Sequence, residues 1–148
     1  MNAAGGKILR VDLCDREIAF EDNSEYGEWV GGQGVNQYVL FKELAMDTPP
    51  YDPSNILAMG TGPLVGTSAP GACRMNLDTL NPFTGGIGSS NTGGHFAREL
   101  RFAGISNIMI KGKADRLVYL RIDDTHIDIL DATHLRNKTV SETAQMIH

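Results

Sequence analysis

The sequence predicts an α+β fold, rich in short strands, and three observations carry that expectation. It opens with a β-hairpin pattern, continues with five further strand-like segments of four to eight residues, and intersperses three helical patterns among them. Residues 7–12 (KILRVD) and 17–21 (EIAFE) read as strands joined by a turn at Cys14, Asp15 and Arg16. Gly31-Gly32-Gln33-Gly34 then leads into residues 35–45, whose apolar spacing predicts a helix of about three turns stopped before Pro49-Pro50. Residues 55–59 (NILAM) predict a short buried strand ending in Gly60-Thr61-Gly62-Pro63. Residues 73–80 (CRMNLDTL) place Met75, Leu77 and Thr79 on one side of another strand.

Residues 81–94 lack apolar alternation and predict a long loop of glycine, serine and asparagine. A second helix is expected over 95–103, where Phe96, Leu100 and Ala103 recur at helical spacing. Strands follow at 107–110, 117–122 and 127–130, the last two turning at Asp123-Asp124. Thr139 and Glu142 form a capping-box pair, and Val140, Ala144 and Ile147 begin an apolar stripe. A capped helix given only about two turns is marginal alone. Residues 1–148 are therefore expected to be a single domain and a fragment of a longer chain.

The bulk numbers exclude several classes. The 148 residues are 41% hydrophobic and 21% charged, which suits a globular domain. A net charge of -5 disfavours nucleic acid as a partner, since phosphate backbones select clustered Lys and Arg. No apolar run reaches the ~18 residues a membrane span needs, and the start lacks the layout of a signal peptide. Two cysteines, Cys14 and Cys73, are too few for a disulfide framework and fit a reducing cytoplasm. His95, His126, His134 and His148 show no metal-binding spacing, so each is expected at the surface or in a loop.

Glycine is the unusual residue. Nine of the 17 glycines fall between positions 60 and 94. Glycine permits positive φ and lets a ligand approach the main chain without meeting a Cβ, and amides where a loop enters a helix bind anions. For Gly31–Gly34 a tight turn is the favoured reading, and an anion seat at the helix start is the alternative. The ten residues 85–94 (GGIGSSNTGG) hold five glycines, and ordering them is costly enough to suggest a phosphate-bearing ligand. The dinucleotide fingerprint fails, because Gln37 stands where its third glycine belongs, and no G-K-[ST] sequence exists for a P-loop. Residues 66–70 (GTSAP) approach the hydrolase elbow, but Pro70 breaks it and leaves Ser68 a loop serine. Arg74 sits on a predicted apolar strand, where a buried guanidinium needs anionic partners. A structural ion pair and an anionic ligand both satisfy that need.

Taken in order, GGQG at 31–34, AMGTGPLVGTSAPG at 58–71, Arg74, GGIGSSNTGG at 85–94 and FAG at 102–104 resemble the amino-terminal domain of the aldehyde ferredoxin oxidoreductases. The resemblance implies a tungsten or molybdenum enzyme with two pterin cofactors, a magnesium ion bridging their phosphates, and a nearby [4Fe-4S] cluster. Its best-known reaction oxidises aldehydes to carboxylic acids and passes electrons to ferredoxin. The amino-terminal domain would be the base on which the bis-pterin sits. By resemblance, Arg74 lies between a pterin and the cluster, and Asn91 offers its main-chain oxygen to the magnesium. Gly93 lets a pterin approach closely, and Gly94 is included beside it. Cluster cysteines and acid–base residues belong to later domains, so no catalytic residue is expected here and the chain alone is expected to be inactive. The implied partners are ferredoxin or another redox partner, the remaining domains of the parent enzyme, and a second copy in a homo-oligomer. Two alternatives stay open: a non-catalytic pterin-binding or assembly module, and an aromatic acyl-thioester reductase of the same family.

Overall fold

A computed structural model describes residues 5–147, and the fold is α+β as the sequence predicts. The opening hairpin is formed by β1 (Lys7–Asp12) and β2 (Glu17–Asp22), followed by a 3-10 turn over Asn23–Trp29 and by α1 (Gln33–Glu43). Next come β3 (Ile56–Thr61), β4 (Arg74–Leu80), β5 (Ile87–Gly93), α2 (His95–Phe102) and β6 (Ile105–Lys111). A second hairpin, β7 (Val118–Asp123) and β8 (His126–Asp131), precedes a 3-10 turn at Thr133–Leu135 and α3 (Val140–Ile147).

Six strands make one sheet in the order β2-β1-β6-β3-β4-β5, while β7 and β8 pair apart from it. Only the β1 and β6 pair is parallel within the large sheet. β6 is buried from Ile105 to Met109 because both sheet faces are covered there, so its apolar residues run together instead of alternating. On one face, Val35, Val39 and Leu40 of α1 pack with Tyr26 against Ile8, Ile56, Ala58 and Met109. On the other, Leu9, Val11, Ile105 and Ile108 meet Leu100 of α2 and the second hairpin's Leu120, Ile122, Ile127 and Ile129. Each fully buried aliphatic side chain contributes about 1.5–3 kcal/mol to this arrangement.

One expectation is corrected here. The loop expected over residues 81–94 contains a strand: β5 pairs with β4 in unbroken antiparallel register from Leu80↔Ile87 to Arg74↔Gly93. Its side chains are mostly exposed, so no apolar alternation marks it, and glycine, serine and asparagine are poor strand formers. The backbone ladder to β4 holds it in place of side-chain burial. The 3-10 turn over Asn23–Trp29 also carried no periodic signal; Asp22 caps it by accepting from the Ser24 amide at 2.7 Å.

The capping box at the last helix forms as expected. Glu142 accepts from the Thr139 amide at 2.7 Å, and Thr139 Oγ1 accepts from the Glu142 amide at 3.3 Å. The Thr139 amide first, and then the Thr139 hydroxyl donating at 2.8 Å, hold the Glu142 carboxyl below its ordinary range. The apolar stripe of this helix is exposed, with Val140 88% and Ile147 49% accessible. His148 lies outside the described residues.

Candidate functional site

The start of α1 explains its own glycines. Gly32 caps the helix at φ 54, and a Cβ on Gly34 would collide with the Trp29 carbonyl. Tight packing is therefore a sufficient reason for that cluster, and no ligand has to be invoked.

Below α1 lies a buried polar network. Asn36 Nδ2 donates to Asp78 Oδ2 at 2.8 Å, and Asn107 Nδ2 donates to Asn36 Oδ1 at 2.9 Å. All three residues are fully buried, and Gln37 Nε2 reaches the other Asp78 oxygen at 3.5 Å. Buried amides and carboxylates are costly unless they are paired, so each network position is tightly constrained. Gly60 lies beneath it: a Cβ there would come within 2.6 Å of Asn36 Oδ1 and 2.8 Å of the Gly32 carbonyl, and would collide with Asn107 Nδ2.

The network continues outward as an exposed polar face on β4 and β5. Antiparallel partners share a face, so Arg74, Asn76 and Asp78 stand beside Gly93, Asn91 and Ser89. Asn91 Nδ2 donates to Asn76 Oδ1 at 2.9 Å, and Asn76 Nδ2 donates to Ser89 Oγ at 3.3 Å. Gln33 Nε2, from the first turn of α1, also donates to Ser89 Oγ, at 3.2 Å. The opposite face of these strands is apolar, where Met75 and Leu77 pack with Val65 and Ala97.

The hairpin register fixes where the Asn91 main chain points. The Asn81 amide donates to the Gly86 carbonyl at 2.7 Å, so that pair is hydrogen-bonded. Hydrogen-bonded and non-hydrogen-bonded pairs alternate along an antiparallel ladder. Counting from Asn81 and Gly86, the pair Asn76↔Asn91 falls in the second class. Asn36 Nδ2 independently approaches the carbonyls of both Asn76 and Ala58, at 3.3 and 3.4 Å, as expected where those carbonyls point into the gap between β3 and β4. The Asn91 carbonyl consequently points away from β4, and because β5 is the last strand it points to the free edge.

The four site residues expected from the sequence lie together at this edge. Arg74 is exposed, contrary to the expectation of a buried-side arginine, and among the described residues it has no ion pair or hydrogen bond. The structural ion pair is thus not formed. Position 74 lies on the face of Asn76, opposite the apolar side of β4, which is why the guanidinium reaches solvent. Gly93 follows extended backbone, and a Cβ there would meet nothing of this chain nearer than the Cys73 carbonyl at 3.9 Å. Neither conformation nor internal crowding requires glycine at that position. Gly94 is different: its φ of 106 favours glycine where β5 turns into α2.

Other candidates fall away from the face. His95 lies next to Gly94, and its Nδ1 is 3.2 Å from an Arg98 nitrogen. Cys14 and Cys73 are exposed free thiols, and among the described residues no three His, Cys, Asp or Glu gather as a metal site. Clefts of about 670 and 840 Å³ lie elsewhere, and neither is lined by Arg74, Asn91, Gly93 or Gly94. The candidate site is an open face. Sequence reasoning missed Gln33, Asn76, Asp78 and Ser89. The alternation of Arg74, Asn76 and Asp78 against Met75, Leu77 and Thr79 was the available signal, read only for its apolar side.

Arg10 occupies the α1 face at the other end of the sheet and is fully engaged. Its guanidinium contacts Glu21 at 2.7 Å and Glu43 at 2.8 Å. Burial lowers its pKa, but the hydrogen bonds to Glu43 and Glu21 outweigh that and raise it. Burial and the hydrogen bond to Glu21 push the Tyr26 hydroxyl up to about 12.

The family model described as aldehyde ferredoxin oxidoreductase, N-terminal domain, matches residues 8–148. The chain belongs to this family. It is 43% identical over 144 residues to the tungsten-containing aldehyde ferredoxin oxidoreductase of Pyrococcus furiosus and 46% identical over 144 residues to that of Pyrococcus abyssi. Each match takes in 96% of this chain and 24% of the relative, so the chain spans about a quarter of their length. A solved structure of the active-site complex BamBC of benzoyl coenzyme A reductase, with 1,5-dienoyl-CoA, superposes at a TM-score of 0.94 and 35% identity. It covers 99% of this chain and 23% of that one. Among the described residues, no helix is long and apolar enough to cross a membrane.

Proposed function

We propose that this chain is the amino-terminal cofactor base of a longer tungsten or molybdenum oxidoreductase, and that the β4 and β5 face seats a bis-pterin. The observation that carries this reading is the juxtaposition of an unpaired guanidinium at Arg74 with the open space at Gly93 and the outward carbonyl of Asn91. Those groups fit the ligand chemistry. Arg74 offers fixed donors and a charge for an anionic, planar group. Gly93 admits a ring against the main chain, and the Asn91 carbonyl is a hard oxygen donor of the kind magnesium selects. The bound group would supply two-electron redox chemistry at its metal, with a [4Fe-4S] cluster held by residues outside this chain. The residues here bind and orient it.

The reaction this reading favours is oxidation of an aldehyde to its carboxylic acid with ferredoxin as acceptor, as the names of the Pyrococcus relatives suggest. The likeness to a benzoyl coenzyme A reductase keeps reduction of an aromatic thioester as a second reading. We place the parent enzyme in the cytoplasm, on the sparse cysteines. Metal and pterin analysis of the purified full-length protein tests the seat. Stoichiometric pterin with tungsten or molybdenum is expected, and a protein with neither would overturn the reading. Turnover of aldehydes against aromatic thioesters decides between the two reactions.

A further inference from the structure

We infer that Asn76 is a positioning residue for the cofactor seat, holding Asn91 so that its main-chain carbonyl is presented at a fixed place on the free edge. The inference rests on the cofactor reading above. β5 is a terminal strand built of Gly-Ser-Ser-Asn-Thr-Gly after Ile87, and almost all of it is exposed. Such an edge has no packed side chains to hold it and would fray on fast timescales. Supplying a metal ligand from such an edge costs affinity, because the edge must be ordered on binding.

The side-chain row across this face supplies the missing restraint. Asn91 is tied to Asn76 at 2.9 Å, Asn76 to Ser89 at 3.3 Å, and Ser89 to Gln33 of α1 at 3.2 Å. Asn76 is anchored from below as well, since its carbonyl accepts from Asn36, a fully buried member of the Asp78 and Asn107 network. Asn76 is therefore the junction between a rigid core and a soft edge. Because Asn76↔Asn91 is a non-hydrogen-bonded pair, no backbone bond joins these two residues. At this rung the side-chain amides are the direct link.

The test uses the full-length protein, loaded with cofactor, and a double-mutant cycle of Asn76→Ala and Asn91→Ala. Asn91→Ala keeps the carbonyl and removes only the tether. The rate of cofactor loss on dilution, followed by metal analysis and pterin fluorescence, is expected to rise about 5- to 10-fold in either single variant, the worth of one hydrogen bond. The double variant is expected to match the singles, because all three lack the same bond. Ser89→Ala, which loosens only the far end of the row, is expected to rise about 2-fold. Melting temperatures of the cofactor-free variants should stay close to wild type, separating positioning from folding. Release at the wild-type rate in Asn76→Ala, or effects that multiply in the double variant, would overturn the inference while leaving the seat intact. A wild-type protein without pterin would overturn the seat and this inference together.

Discussion

Two arginines on the α1 face of one sheet have opposite surroundings. Arg10, near the β2 edge, lies between Glu21 and Glu43 with Tyr26 alongside, and each of its three side-chain nitrogens has a partner. Arg74, near the β5 edge, extends into solvent without one among the described residues. Two glycines repeat the contrast. Gly60 is glycine because the chain leaves no room for a Cβ, whereas Gly93 is glycine although the chain leaves ample room. Where the fold itself accounts for a residue, structure is its sufficient cause. At the β5 edge the fold does not account for Arg74 or Gly93, and the proposed cofactor would.

Substitutions can break or sharpen that comparison. The largest effect is expected for Gly60→Ala, which drives a methyl group into Asn36, Asn107 and the Gly32 carbonyl and disconnects Asp78. A loss of about 3 kcal/mol or more is expected, read as a large fall in melting temperature or as insoluble protein. Next is Arg10→Ala, which leaves two carboxylates facing each other in a half-buried site. We expect about 1–2 kcal/mol of destabilisation by urea unfolding, with no direct effect on cofactor content. Arg74→Ala should change stability by less than ~0.5 kcal/mol while lowering cofactor retention. Equal losses of stability in Arg10→Ala and Arg74→Ala would erase the distinction between the two ends.

A smaller effect concerns pH. Burial raises the Glu21 carboxyl, but hydrogen bonds from Tyr26 and Arg10 outweigh it and hold the group below its ordinary value of 4.5. A depressed carboxyl stabilises the fold above its unfolded pKa, and that contribution is lost as pH falls below 4.5 through the folded value. Tyr26 has the opposite sign: raised from 10.0 to about 12, it contributes fully below pH 10 and loses that contribution as pH rises through about 12. Melting temperature against pH should therefore slope down at both ends, and Arg10→Ala should flatten the acid limb.

The elements that bury side chains were legible in the sequence, as were the exposed β2 and α3 through a hairpin pattern and a capping box, whereas β5 was hidden. β1, β3 and β6 announce themselves through Ile8, Leu9, Ile56, Ile108 and Met109, because burial selects apolar residues at strand spacing. β5 buries almost nothing, so its strand character exists only in the ladder to β4, which a local pattern does not encode. The site was half legible for the same reason. Arg74, Asn91, Gly93 and Gly94 emerged through resemblance, and the register brings them to one edge. Gln33, Asn76 and Ser89 act through tertiary hydrogen bonds spanning as many as 56 positions in the chain.

Gly93→Val in the full-length protein tests the central claim most directly. Valine suits an extended strand and its Cβ meets nothing of this chain nearer than the Cys73 carbonyl at 3.9 Å, so the cofactor-free protein should melt within a few degrees of wild type. If the face seats a pterin, the added methyl groups occupy its place, and metal and pterin content should fall at least ~10-fold. Wild-type cofactor content in that variant would contradict the account.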